Sequence, residues 1–533
     1  MLKELSEMFN KVYDYEGDNL ILSNYKIKRG DYILVDRDGN VKEVLEVDKN
    51  TDQSLDIMRK FAKLDYYSSI LTANKSVDRK KKILSNNLYS FFIKKDKLKF
   101  INYENIDIYY DGLASLDVSK SNRSKYIELY KSVEDEIGPI RDNDIEKYRL
   151  WVKENIFGLI ERLELTDNSD YLKIFFEADI EDYIRESNRY FYTRIFNNNM
   201  YNVKVGDIIY GLSNYNIAMG LDKPAFQNKS RKIAVPHLLP LSEVMKQKKL
   251  FDYLYCMVFD RRNNIYFNDE IVYGSNYAPV CSFKGYYARV ELDMTSAEIR
   301  DFSVVNKMPD REYVIYDYTG AKKESTNENR MLYNEPLKLS TIIEYIDRFF
   351  FNKRLLYNIY QHDENVSLNG VSSTVVKKQF YNMRSALRDW FFKGDDTLVK
   401  DIAADGFLDI VSNSIAEGGN VIDQYNLMEC ILNSFGGTRM SDVVRPIYEE
   451  LRQKVVDRDI SEIESNDEFC FAVGQLAYYL LNSNKGAGKK QSLINPLLHA
   501  KDGNVLKDRL VRIYKKYNFG VGYYSFKAKK LNS

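Results

Sequence analysis

Histidine, cysteine and proline are scarce in this 533-residue chain, which has three, four and nine of them. His237, His362 and His499 are too far apart in sequence to read as a histidine-based hydrolytic or metal-binding motif. Cys256, Cys281, Cys430 and Cys470 form no C-x-x-C pair and have no zinc-ligand spacing, so they read as buried, reduced thiols. No apolar run approaches the ~18 residues of a membrane span. The amino terminus, "MLKELSEMFNKVYDYEGDN", mixes charged and apolar residues as an amphipathic helix does and resembles no signal peptide. A cytoplasmic protein without a membrane partner is expected. Charge of one sign is also missing: 78 Lys and Arg balance 78 Asp and Glu. A polyanionic partner would therefore have to be met by local clusters. There is no G-x-S-x-G elbow and no acidic metal triad.

Aromatic residues are abundant, with 43 Tyr and 28 Phe. AT-rich coding raises Tyr, Asn, Lys and Ile together and accounts for most of this excess. Rings with a polar tip also suit large packed interfaces and base stacking.

The patterning predicts an α+β protein: a mixed α/β amino-terminal and central region, then an all-α carboxy-terminal bundle. Expected segments are 1–115, a mixed domain with a basic block; 116–369, a helical stretch and a poorly periodic α+β region; and 370–533, the bundle. "DYILVDRDGNVKEVLEV" (31–47) reads as a hairpin, since Asp38-Gly39 supplies the positive φ of a tight turn. "DYLKIFFEAD" (170–179) reads as a strand, and "NNIYFNDEIVYG" (263–274) as short strands. Farther on, Val376, Phe380, Met383, Leu387 and Phe391 mark one helical stripe. Ser465 and Glu468 open another helix as a capping box, and stripes at 398–416, 421–435, 441–455 and 504–517 complete the bundle.

Three basic clusters stand out. Between Lys75 and Lys99, nine basic residues face two acids. They include Lys75, Arg79, Lys80, Lys81, Lys82, Lys94 and Lys95, and suit phosphate contact. Asn86 and Asn87 lie between them, with amides able to pair with base edges. The second cluster is Lys229, Arg231, Lys232, Lys246, Lys248 and Lys249. The third, from Lys507 to Lys530, sets eight basic residues, Lys515 and Lys516 among them, beside Tyr514, Tyr517, Phe519, Tyr523, Tyr524 and Phe526. Cations alternating with rings is a single-strand-binding composition, although solvated helix faces and tails share it.

"SNKGAGKKQS" (483–492) looks like a phosphate loop but fails the Walker pattern. With Gly488-Lys489 in register, the first glycine is replaced by Ser483 and the metal-binding hydroxyl by Lys490, and a helix precedes it where a strand is required. Lys485, Lys489 and Lys490 remain candidates for a polynucleotide backbone. His362-Asp363 suggests an HD-type metal-dependent nuclease or phosphohydrolase of antiviral defence, the competing reading. It lacks further ligands nearby, and His362 is expected to end a helix begun near Ser340.

"MLKELSEMF" with "NLILSNYKIKRGDYILVDRDGNVKEV", "KKILSNNLYSFFIKKDKL", "FCFAVGQLAYYLLNSNKGAGKKQSLINPLL" and "LVRIYKKYNF" occur in this order. Together they resemble the large subunit of the type I-B CRISPR surveillance complex (Cascade). The resemblance covers both ends of the chain and the middle weakly. It implies a non-enzymatic, cofactor-free subunit that recognises a short motif beside the target in double-stranded DNA. It further implies help in opening the duplex for guide RNA pairing, and recruitment of a helicase-nuclease. Implied partners are the backbone subunits of the guide ribonucleoprotein, a small subunit, the target duplex and its displaced strand. Relatives also make a small subunit from an internal start, for which Met383 is the favoured candidate here, ahead of Met428 and Met440. Many relatives carry paired central cysteines; 205–245 contains none, so no zinc is expected.

Overall fold

The computed structural model describes residues 1–71, 77–78, 80, 82–114, 123–138, 141–162, 169–197, 199–215, 237–276, 279, 282–293, 296–317, 331–417, 420–436, 440–456, 463–482 and 494–517. It is an α+β protein that divides into two compact units, one of residues 1–276 with 285–303 and the other of 277–284 with 304–533. The expected boundaries near 115 and 370 are not where the units divide.

The first unit is built on a sheet of β1 (Gly30–Val35), β2 (Val41–Val47), β3 (Ser90–Lys94) and β4 (Tyr171–Phe176), ordered β2-β1-β4-β3. β1 and β2 form the expected hairpin; Gly39 takes a φ of 91°, and Asp36 Oδ1 accepts from the backbone N–H groups of Asp38 (3.0 Å) and Asn40 (2.7 Å). β4 pairs parallel to β1 and antiparallel to β3, so the sheet's centre joins segments far apart in sequence.

Strands covered on both faces read as continuous apolar runs, and "YILV" and "IFF" do. On one face Tyr32 and Phe175 pack against Phe61 of α3 (Asp56–Ser68), with ring centroids 5.8 and 5.7 Å apart. On the other, Phe91 meets Tyr109 of α4 (Tyr103–Ala114), while Phe176 stacks on Tyr148 of α6 (Asp142–Arg162) at 4.4 Å. α1 (Leu2–Glu16), the one-turn α2 (Asn19–Leu22), α5 (Arg123–Ile137), α7 (Ile180–Arg194) and α8 (Leu241–Phe259) complete the layers. α8 packs on α1 and α2, with Phe9 against Tyr253 at 5.7 Å.

A small sheet of β5 (Val203–Val205), β6 (Ile208–Gly211) and β7 (Leu239–Pro240) precedes α8. A four-stranded antiparallel sheet follows: β8 (Asn264–Phe267), β9 (Val272–Ser275), β10 (Gly285–Asp293) and β11 (Ser296–Val305), ordered β11-β10-β8-β9.

The second unit is predominantly helical after the two-stranded pair β12 (Tyr313–Val314) and β13 (Pro336–Leu337). α9 (Leu339–Phe351) and the short α10 (Leu355–Asn358) lead into α11 (Thr374–Lys393), α12 (Thr397–Glu417) and α13 (Val421–Ser434). α9 packs on α11 and α13, so the bundle includes a helix that a start at 370 leaves out. α11 starts where Ser373 Oγ accepts from the Val376 N–H at 3.2 Å, and buries the expected stripe, with Phe380, Met383, Leu387 and Phe391 inside. α14 (Met440–Val456), α15 (Asn466–Asn482), the short α16 (Asn495–Leu498) and α17 (Gly503–Tyr517) follow. The Glu468 N–H donates to Ser465 Oγ at 3.0 Å, as a cap requires.

Candidate nucleic-acid interface

The basic block does not form one exposed surface. Lys80 is exposed, whereas Lys75, Arg79 and Lys81 lie outside the described residues. The chain turns around Asp78, whose carboxylate is buried and accepts from the backbone N–H groups of Lys80, Lys82 and Ile83 at 2.8–3.0 Å. Lys82 then points inward, donating from Nζ to the Phe100 carbonyl (2.8 Å) and to Asn105 Oδ1 (2.9 Å). Lys95 is also occupied, its Nζ 2.7 Å from Asp31 and its side chain only 9% exposed.

Asn86 and Asn87, expected to face bases, are 1% and 0% exposed, which corrects that expectation. Asn87 Nδ2 donates to the carbonyls of Tyr67 (3.1 Å) and Tyr183 (2.8 Å), and its Oδ1 accepts from the Tyr89 N–H at 3.1 Å. The side chain therefore ties the end of α3 and the first turn of α7 to the start of β3. Asn86 Nδ2 donates to the Ser69 carbonyl at 3.4 Å. The amides satisfy backbone groups that would otherwise be buried unpaired.

The second cluster is likewise redirected. Lys248 is 5% exposed and pairs with Asp252, one turn along α8. Lys249 lies 2.6 Å from Asp18 and Lys246 3.9 Å from Asp14. Asp18 also accepts from the hydroxyls of Tyr13 and Tyr67, and Tyr66 donates to Asp252 at 3.1 Å. Lys246 and Lys249 thus tie α8 to the amino-terminal segment, while the charge of Lys248 is met within α8. Lys229, Arg231 and Lys232 lie outside the described residues.

The third cluster is exposed on α17. Ile513 and Tyr517 pack with Leu480 of α15, which turns the rest of the helix outward. Lys507, Arg512, Lys515 and Lys516 are exposed, as are Val511 and Tyr514, the last at 46%. Cations and a ring thus share a solvent-facing surface. Lys485, Lys489 and Lys490 lie outside the described residues, as does the chain beyond Tyr517.

His362 does not end a helix: α9 stops at Phe351, and His362 is the exposed N-cap of a 3-10 turn, Asp363–Asn365. Asp363 pairs with Arg384 at 2.5 Å. Among the described residues no three His, Cys, Asp or Glu side chains converge as a metal site. Cys256 and Cys430 are buried as expected, and burial pushes both thiols up, Cys430 to about 12. Cys470 is exposed, contrary to expectation, and Cys281 lies outside the described residues.

One grouping was not anticipated. Lys94, on β3, faces Tyr171, on β4, with its ammonium 5.8 Å from the ring centroid; Lys28, just before β1, approaches the same ring to 5.9 Å. Both residues are visible in the sequence, but their proximity needs the strand order. No protein-family model, curated protein or solved structure matches the chain.

Proposed function

We propose that this chain is the large subunit of a type I-B CRISPR surveillance complex. In that role it recognises the target-adjacent motif in double-stranded DNA, aids duplex opening for guide RNA pairing and recruits the helicase-nuclease. Support comes from the ordered sequence blocks at both ends of the chain and from an α+β fold that closes with a helical bundle.

The observation that carries the nucleic-acid part is the outward face of α17, where Lys507, Arg512, Lys515 and Lys516 flank exposed Tyr514. Phosphate oxygens pair with such cations and release condensed counterions, while an unpaired base can stack on the ring. The burial of Asn86, Asn87 and Lys248 removes them from the reading surface and leaves Lys80, Lys97 and Lys99 as the described, exposed residues of the first cluster.

The test is reconstitution of the guide-loaded complex with and without this chain, followed by duplex binding over a salt series. Binding of motif-bearing target only when the chain is present is expected. Reversing the four α17 charges should reduce the slope of log affinity against log salt by about 3 to 4, at roughly 0.7–0.9 per phosphate contact. Equal binding by complexes lacking the chain would overturn the proposal.

A further inference from the structure

We propose that Lys28, Lys94, Tyr171, Tyr255 and Phe259 form a binding surface for single-stranded nucleic acid, in which a base stacks on the Tyr255–Phe259 pair and phosphates meet the two ammonium groups. The inference rests on the nucleic-acid reading above and assigns it a second contact surface, within the first unit.

Charge bookkeeping around the sheet separates these two lysines from their neighbours. Lys26 pairs with Asp260, Arg29 with Asp170 at 3.6 Å, Lys95 with Asp31 at 2.7 Å and Lys173 with Asp65 at 2.6 Å. Lys28 and Lys94 have no carboxylate ion pair among the described residues. Both ammonium groups approach the Tyr171 ring, at 5.9 and 5.8 Å from its centroid, with buried Lys173 as a third at 5.1 Å. A ring face attracts cations without neutralising them, so the positive charge stays available to an anion.

The stacking element adjoins this charge. Tyr255 and Phe259 lie one turn apart at the carboxy-terminal end of α8, centroids 6.1 Å apart and planes within 16°, and Phe259 is 45% exposed. Lys28, Tyr255 and Phe259 line one shallow hollow, which makes cation and rings one continuous surface. The hollow between Tyr25, Lys28, Leu71, Tyr255, Cys256 and Phe259 has only about 10 Å³ of open space. That is too little to enclose a nucleotide, so a base must lie on the rim. Stacking on an exposed ring requires a base whose face is free, which selects a single strand over a duplex.

The test is fluorescence anisotropy of the full chain with a labelled single-stranded oligothymidylate and with a duplex, over a salt series. Phe259→Ala should weaken single-strand binding about tenfold and leave duplex binding unchanged. Lys28→Gln with Lys94→Gln should reduce the single-strand salt slope by about 1.4, two phosphates at roughly 0.7 each. Should the double variant fail to fold, Lys94→Gln alone should give about half that change.

Unchanged single-strand affinity in Phe259→Ala, or equal weakening on duplex, would overturn the inference. If reversal of the α17 charges weakens binding while the Phe259 and Lys94 variants do not, this surface is refuted and the broader reading stands. If wild-type protein, alone and in the reconstituted complex, binds neither nucleic acid, both fall together.

Discussion

The ammonium of Lys173 lies 2.6 and 2.8 Å from the two carboxylate oxygens of Asp65, with the side chains 3% and 0% exposed. The pair joins β4, in the middle of the main sheet, to α3, and aromatic rings of Tyr32, Phe92 and Tyr171 surround the ammonium at 4.7–5.3 Å. Asp65 also accepts from the Tyr25 hydroxyl (3.1 Å) and Ser69 Oγ (2.8 Å). Burial draws the Lys173 ammonium below its ordinary range despite the attraction of Asp65. The contact holds two layers in register but is dearly desolvated.

Asp65→Ala should therefore destabilise the first unit by about 3–5 kcal/mol, because an uncompensated cation remains inside. Asp65→Leu combined with Lys173→Met should lose much less, since neither charge is then buried. Urea unfolding of the two variants measures the difference.

Acid stability should depend on Asp18. Burial raises its carboxyl, but the charge and hydrogen bond of Lys249 and the hydroxyls of Tyr13 and Tyr67 outweigh this and hold it below its ordinary 3.8. Between the folded value and 3.8 the unfolded chain binds more protons, so stability rises with pH there. The contribution is complete above pH 3.8 and is lost as pH falls through the folded value. Asp18→Asn should flatten this acid limb in a plot of urea midpoint against pH.

Gly30→Ala should be among the costliest single-methyl additions in the chain. Its φ is 148°, and a Cβ there would collide with the Tyr171 backbone, lying 2.8 Å from both its carbonyl carbon and its nitrogen. Separating β1 from β4 should cost about 2–4 kcal/mol, at the upper end of ordinary point substitutions. At Gly17, with a φ of 61° and nothing within 4 Å of an added Cβ, alanine should cost about 1 kcal/mol from backbone strain alone. Thermal melts of the two variants separate collision from strain.

Asn87→Ala should lower stability by about 1–3 kcal/mol, since the carbonyls of Tyr67 and Tyr183 and the Tyr89 N–H lose their partner. Lys80→Glu, at an exposed position, should change stability by less than about 0.5 kcal/mol. Chemical denaturation distinguishes the buried amide from the solvent-facing charge of the same block.

Met383 serves the core whether or not it also serves as an internal start. It is 0% exposed, and an added Cβ at Gly406 would lie 2.5 Å from its sulfur. Met383→Ala should cost about 2–5 kcal/mol, whereas Met383→Leu should cost less than about 1.5 kcal/mol. An immunoblot for the carboxy-terminal segment in the Leu variant tests the proposed start, because a short product beginning there should disappear.

Local elements were legible because their causes are local. Asp38-Gly39 announces the hairpin through its φ requirement, Ser465 and Glu468 announce the start of α15, and the stripe from Val376 to Phe391 follows from helical periodicity. These signals give the α+β class and the bundle. Cluster composition also identified the exposed face of α17, since an amphipathic terminal helix must turn its charged side to water.

Which lysines face solvent was decided only by tertiary structure. Lys248 and Lys249 look like the cations of α17 in sequence, yet Asp18 and Asp252 take them inside. Asn86 and Asn87 have base-reading chemistry but spend it on backbone groups of distant elements. Lys28, Lys94 and Tyr171 meet because β4 inserts between β1 and β3, a long-range pairing that no local period encodes. The sequence alone determined the elements and the amount of charge; strand order and the competition for buried partners determined where that charge is exposed.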